Sequence, residues 1–253
     1  MIIGFAGKIG SGKTTQMRFL HGFFMKHLIP SPSLRGALTD KYQMTHDGKL
    51  LIHAEFDDGE GMGEIDVRSR DPEMIGFLAN VVWPYIKGYS VADSLKEIAT
   101  EMFQIPKENI YGTQSQKLQE THLLWENMIG SNKTGKMTGR DFLQYFGTEV
   151  CRKLFPDVWI ASTISQIKRE SPQYAIIDDI RFDNEREMVQ KDGVVVYLDR
   201  IESDFAHESE NSISIDKCDF VIPCKDKSLE DTCLAVLKAL HDNNIIPQAG
   251  AKV

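Results

Sequence analysis

Cysteine is scarce in this chain. There are four among 253 residues (Cys151, Cys218, Cys224 and Cys233), and none forms a C-x-x-C pair. That spacing indicates neither a disulfide framework nor a zinc ribbon, and free thiols are expected. The seven histidines show no H-E-x-x-H pattern, so no zinc site is expected either. No apolar run approaches the roughly 18 residues that a membrane span requires. The opening Met-Ile-Ile-Gly-Phe-Ala lacks the basic start and long apolar stretch of a secretory leader. Positive charge is also short: 29 Lys and Arg against 37 Asp and Glu give a formal net charge of −8. Such a chain has no general attraction to duplex nucleic acid or to an anionic membrane. The expectation is a cytoplasmic protein that binds neither. A local positive pocket for a phosphorylated small molecule stays open. Internal repeats and low-complexity tracts are missing as well. With 42% hydrophobic and 26% charged residues, the chain is long enough for one large domain over 1–253.

What is present alternates between short apolar runs and amphipathic stretches. Ile2–Ala6 predicts a buried strand. Thr14–Leu28, with Met17, Leu20 and Phe24 on one face, predicts a helix. Around 41–68 the period changes to two. Leu50, Ile52, Ala54 and Phe56 alternate, Asp47-Gly48 suits a tight turn, and Ile65 and Val67 alternate again, which predicts a small β-meander projecting from the main body. Helices are expected over Met74–Val82, Ser94–Phe103, Arg140–Leu154 and Trp159–Lys168, and a strand over Tyr89–Ala92. Lys107–Met137 reads as irregular, with a helix near Gln119–Met128. Strands at Tyr174–Ile177, Val194–Leu198 and Phe220–Pro223 alternate with helices at Asn184–Lys191 and Leu229–His241, and Pro247–Val253 reads as a frayed tail. The alternation predicts an α/β fold of three layers, a parallel sheet flanked by helices, with the β-rich insert and a further helical region attached.

Gly7-Lys8-Ile9-Gly10-Ser11-Gly12-Lys13-Thr14 fits G-x-x-x-x-G-K-[ST] in full, between a predicted strand and a predicted helix. Glycines let successive N–H groups turn around phosphate oxygens, and the helix N-terminus adds a favourable dipole. Lys13 suits the β- and γ-phosphates, and the Thr14 hydroxyl suits Mg²⁺. The expected nucleotide contacts are Gly7, Gly10, Ser11, Gly12, Lys13, Thr14 and Thr15. Ala175-Ile176-Ile177-Asp178-Asp179 is an apolar strand ending in carboxylates, the pattern that supplies a metal-side acid. The same pattern also describes any solvated strand end. Arg181 and Arg200 stand at strand ends, where a guanidinium can fork onto phosphate oxygens or make a surface ion pair.

These residues resemble the deoxynucleoside monophosphate kinases, especially those of bacteriophages, across most of the chain. Beside Gly7–Thr14, the resemblance rests on five stretches. They are Val91-Ala92-Asp93-Ser94-Leu95-Lys96; Tyr111-Gly112-Thr113 with Gln116-Lys117; Thr138-Gly139-Arg140 with Leu143-Gln144 and Gly147-Thr148-Glu149; Asp179-Ile180-Arg181-Phe182 with Asn184-Glu185; and His207-Glu208-Ser209-Glu210. Val91 and Ser94 stand where the family has an aromatic residue and a proline, and Asp183 stands at another proline. Residues 201–217, where a kinase lid would lie, hold no arginine.

The resemblance implies transfer of the γ-phosphoryl of ATP, with Mg²⁺, to a deoxynucleoside monophosphate. Lys13, Arg181 and Arg200 would carry catalysis, and Thr14 with Asp178 or Asp179 the metal, Asp179 being favoured because it matches the family motif. Asp93, Lys96, Arg140, Gln144, Thr148 and Glu149, within a region of about 89–160, would bind the monophosphate. Gln144 has an amide suited to a base edge. Trp83, Tyr85 and Trp125 offer stacking faces, set against ordinary core roles, and Asp93 is equally a candidate helix cap. A homodimer is the base-rate expectation, and an origin in phage would put the enzyme in the host cytoplasm. Rival readings are another small-molecule kinase such as dephospho-coenzyme A kinase, a nucleotide-dependent switch or DNA-associated ATPase, and a non-catalytic scaffold.

Overall fold

The computed structural model describes residues 1–8, 10–28, 42–45, 50–56, 59–69, 71–200 and 213–247. Chain contacts divide it into two compact units, Met1–Ser90 with Ile167–Val253, and Val91–Gln166.

The first unit is built on five parallel strands: β1 (Ile2–Ala6), β5 (Ile86–Tyr89), β8 (Tyr174–Ile180), β9 (Gly193–Asp199) and β10 (Phe220–Pro223). Their order across the sheet is β10-β9-β1-β8-β5, with every pairing parallel. All five C-terminal ends therefore lie along one edge. The chain goes from β1 to β5 on one side and returns to β9 on the other, which opens the ligand crevice of such sheets beside the end of β1. Helix α1 (Lys13–His27) and the closing helix α9 (Leu229–Asp242) pack together on one face. Ile3, Phe5, Ile176, Val196 and Leu198 join Met17, Leu20 and Phe24 in that core. On the other face, α8 (Asp183–Gln190) lies over β1 and β9, and Val189 reaches Gly4. The three layers expected from the alternation are thus present, and the fold is that of a P-loop kinase. Gly193 lets β9 close on β1, because a Cβ there would strike the carbonyl of Ile2.

The β-rich insert is a separate antiparallel sheet of β2 (Tyr42–Met44), β3 (Leu50–Phe56) and β4 (Gly59–Glu64). The expected turn at Asp47-Gly48 lies outside the described residues. After β4 the chain enters the core, where Ile65 and Val67 are buried. Pro72–Phe77 (α2) follows and continues into a π-helical turn at Leu78–Val82. The strand expected at Tyr89–Ala92 sits earlier, at Ile86–Tyr89. Lys87 and Gly88 do not read as strand formers, but pairing with β8 overrides propensity. Gly88 is accommodated because α1 crosses so closely that a Cβ would strike Met17 Sδ.

The second unit holds α3 (Asp93–Glu101), α4 (Lys107–Tyr111), α5 (Gln114–Lys117), β6 (Glu120–Leu124), β7 (Lys136–Thr138) and α6 (Gly139–Gln144), the last continued by a π-helical stretch at Tyr145–Arg152. Helix α7 (Val158–Glu170) then leads back to the first unit. The helix expected near Gln119–Met128 is corrected: that segment pairs as an antiparallel ribbon, β6 with β7. Thr121 is buried and ties the ribbon, donating to Met137 O at 2.8 Å, and only Trp125–Asn127 turns helically, as a single 3-10 turn. Ala99, Ile105, Ile110, Trp125, Met137 and Phe142 form this unit's core.

Candidate active site

In the first unit, the chain leaves β1 through Gly7 (φ 142), Gly10 (φ 78) and Gly12 (φ 97) before α1 begins. These are backbone angles that glycine adopts without strain. Gly7 meets a second demand, because a Cβ would come within 2.8 Å of Leu198 O. At Gly12 the position a Cβ would take is open space. Gly12 caps α1 without a side-chain hydrogen bond, and the first turn holds no acidic residue. First-turn N–H groups have no partners within a helix, so this end suits an anion. Ser11 Oγ is buried in the loop without a hydrogen-bond partner. Lys13 Nζ folds back, donating to Gly7 O at 2.6 Å and Lys8 O at 2.8 Å. Thr15, half-buried, follows Thr14 in the first turn.

Thr14 Oγ1 donates to Asp178 Oδ2 at 2.8 Å. Asp179, the carboxylate favoured from its motif, takes a different partner and accepts from Ser90 Oγ at the end of β5. Neighbours on a strand turn opposite ways. The strand also does not stop at Ile177: it runs to Ile180, and its register against β1 slips by one residue between Gly4 and Ala6. Such a bulge re-aims side chains beside a site. Asp178 is 4% exposed, and its other oxygen, Oδ1, lies 3.1 Å from Arg68 Nη2. Arg68 follows the β-rich insert, and no sequence pattern marked it. Nearby on α1, His21 is fully buried, with Nδ1 against Met17 O at 2.8 Å. That carbonyl accepts, so Nδ1 carries the proton. Burial, helped by the charge of Arg68, lowers the imidazole to about 4 against the backbone bond that favours protonation.

Thr14 and Asp178 together fit a divalent metal. Both offer hard oxygen atoms, and Mg²⁺ characteristically takes one or two protein ligands with the rest from phosphates and water. Among the described residues no group of three or more His, Cys, Asp or Glu could hold a metal alone. Arg181 is exposed at the end of β8. Its backbone N–H and that of Phe182 both donate to Glu185 Oε2, at 2.8 and 3.2 Å, and Glu185 is itself buried. The motif's glutamate therefore shapes the loop that carries the arginine. Arg200, just past β9, donates from Nη2 to Lys227 O at 3.2 Å. His207 and Glu210, and the lid-like segment up to residue 212, lie outside the described residues.

In the second unit, α3 begins at Asp93, with Ala92 as its cap and no side-chain cap bond. Asp93 is thus in the first turn and pairs with Lys96 at 3.5 Å. Lys96 Nζ also sits 5.9 Å from the centre of the Tyr111 ring. Thr138 caps α6 through a reciprocal box with Asp141, and Gly139 lies so close to Asn109 that a Cβ would strike its carbonyl. Arg140 and Gln144 fall four apart on this helix. Arg140 Nη1 is 3.4 Å from Gln114 Oε1, while Gln144 and Thr148 are exposed. Glu149 is exposed too and pairs with Lys153 at 2.6 Å. Gly147 O accepts from Trp159 Nε1 at 3.0 Å. Trp125 packs in this unit's core, its ring 5.8 Å from that of Tyr145. Trp83 and Tyr85 pack against the core of the first unit.

No helix among the described residues is long and apolar enough to cross a membrane. A family model described as deoxynucleotide monophosphate kinase matches residues 1–235. A relative from Acanthamoeba polyphaga mimivirus, named "Putative deoxynucleotide monophosphate kinase", is 27% identical over 188 residues, spanning 68% of this chain and 88% of the relative.

Proposed function

Since this chain belongs to the deoxynucleotide monophosphate kinase family, we propose that it transfers the γ-phosphoryl of ATP to a deoxynucleoside monophosphate, yielding the diphosphate and ADP. The observation that carries the reading is the bond from Thr14 to Asp178 beside the glycine-bent loop. It brings a hydroxyl and a carboxylate together where a triphosphate and its metal would need both.

The acceptor is an anionic phosphate oxygen, so no general base is needed. Catalysis reduces to alignment and to neutralising charge that spreads over the transferred group. Gly7–Thr14 and the start of α1 would hold the donor phosphates, with Gly10, Ser11, Gly12 and Thr15 completing the cradle. Lys13 would exchange its two loop carbonyls for β- and γ-phosphate oxygens. Thr14 and Asp178 would hold Mg²⁺, which when bound screens the β- and γ-oxygens. Arg181 and Arg200 would add positive charge on the donor side. For the acceptor, Lys96 and Arg140 suit a phosphate, and Gln144 a base edge, with Asp93, Thr148 and Glu149 as further candidates. The family match argues against dephospho-coenzyme A kinase. The cytoplasm and a homodimer remain part of this reading.

A coupled assay that scans deoxynucleoside and ribonucleoside monophosphates and dephospho-coenzyme A against ATP tests it. Turnover with at least one deoxynucleoside monophosphate is expected, falling by orders of magnitude in Lys13→Ala while the circular dichroism spectrum is retained. Turnover with dephospho-coenzyme A alone would overturn the reading.

A further inference from the structure

Asp178 is nearly enclosed, and a carboxylate out of water has to be paired to stay charged. Both of its oxygens are engaged: Oδ2 accepts from the Thr14 hydroxyl, and Oδ1 faces the Arg68 guanidinium. Arg68 comes from outside the sheet that builds the rest of the donor site. It stands four residues after β4, and the chain between is pinned. Ile65 and Val67 are buried in the core at 2% and 1% exposure. Asp66 closes a tight turn, accepting Arg68 N at its Oδ1 (3.0 Å) and Ser69 N at its carbonyl (2.8 Å). The backbone beneath Arg68 is therefore fixed, while its side chain remains 27% exposed. The same charge helps to keep the buried His21 neutral, consistent with a guanidinium held at the inner wall of the site.

We infer that Arg68 is a positioning residue that stands in for the divalent cation at Asp178, balancing that carboxylate before nucleotide arrives and giving way when the metal comes with the triphosphate. The inference rests on the donor site proposed above. A guanidinium balances a carboxylate as a diffuse monocation on a long stem, whereas the metal would bring a compact double charge. Arg68 faces Oδ1 while the metal would lie on the Thr14 side, at Oδ2, so the two cations compete through the charge of one shared carboxylate. The β-rich insert thereby acquires a role: the turn that leaves it delivers the exchangeable cation.

Competition has a signature that a plain phosphate contact lacks. In Arg68→Met the stem volume is kept and the charge removed. Mn²⁺ affinity of the nucleotide-free full chain, read from the electron paramagnetic resonance signal of free Mn²⁺, should rise about tenfold, since one charged contact no longer opposes the metal. Metal-free ATP should bind about tenfold more weakly by calorimetry, because one positive charge beside Asp178 is then gone, while binding of ATP with Mg²⁺ should change far less. Arg68→Lys should stay near wild type in the Mn²⁺ measurement. Arg68→Gln provides the same readouts if the methionine variant does not fold. Unchanged Mn²⁺ affinity in a folded neutral variant, or equal weakening of ATP with and without Mg²⁺, overturns the inference. Wild-type protein that takes up Mn²⁺ but no ATP would instead sink the donor-site reading, leaving the Mn²⁺ comparison to judge Arg68 alone.

Discussion

Asp178 and Asp179 are adjacent and chemically identical, yet the fold separates them. One faces the hydroxyl of Thr14 and the guanidinium of Arg68; the other faces Ser90. If Asp178 is the metal-side carboxylate, Asp178→Asn should cut turnover at least about a hundredfold, as expected when charge at a phosphoryl-transfer site is removed. It should also raise the Mg²⁺ concentration needed for half-maximal rate. Asp179→Asn should change that Mg²⁺ requirement little and act mainly through the link between β5 and β8. Steady-state rates across a Mg²⁺ titration check both, and the reverse ranking would return the metal to Asp179.

At the scale of elements, the stretches that carry the family resemblance divide into scaffold and contact. Thr138, Gly139 and Gly147 are scaffold. Thr138 caps α6, Gly139 lets that helix lie on Asn109, and a Cβ on Gly147 would crowd Leu95 Cδ2 at 2.7 Å. Gly139→Ala should therefore destabilise the protein by roughly 1–3 kcal/mol, the usual range for overpacking, visible as a lower midpoint in urea. Arg140 and Gln144 are the contact candidates on the same helix. Arg140→Ala should raise KM for every accepted monophosphate, because the phosphate is common to all. Gln144→Ala should reorder the bases instead. Kinetic constants for four monophosphates separate the two, and a uniform effect of Gln144→Ala would remove it from base recognition.

At the scale of the whole molecule, two of the described groups, His21 and Asp183, make stability respond to acid. His21 titrates near its usual 6.5 when unfolded and near 4 when folded. Its pKa is lowered by folding, so the unfolded chain takes up the proton first, and stability falls between about pH 6.5 and 4. At 1.36 kcal/mol per unit the loss amounts to about 3 kcal/mol at pH 4. Asp183 answers lower down. Burial pushes its carboxyl up, but the side-chain and backbone bonds from Ser214 and the Arg186 guanidinium outweigh that and bring it to about 2. Its contribution is present above the usual 3.8 and is lost as pH falls toward 2. Urea midpoints measured from pH 7 to 2 should show two declining steps. His21→Leu should flatten the upper one, and Asp183→Asn the lower.

Some of this was fixed by local pattern. Gly7–Thr14 can be read from the chain because its defining residues answer local demands, positive φ at Gly7, Gly10 and Gly12 and a hydroxyl at the first turn of α1. The buried strands of the parallel sheet are legible as apolar runs, because both faces are covered. The short elements of Val91–Gln166 were not, since four- and five-residue helices and a two-stranded ribbon carry too few periods to distinguish them. Other features are beyond any local pattern. Which carboxylate meets Thr14 depends on where β8 slips against β1. That Arg68 reaches Asp178, 110 residues away in sequence, depends on Ile65 and Val67 entering the core beside α1. Local sequence determines backbone conformation and the chemistry each side chain offers. Register and packing between distant segments determine which of those side chains meet, and that is decided only when the sheet assembles.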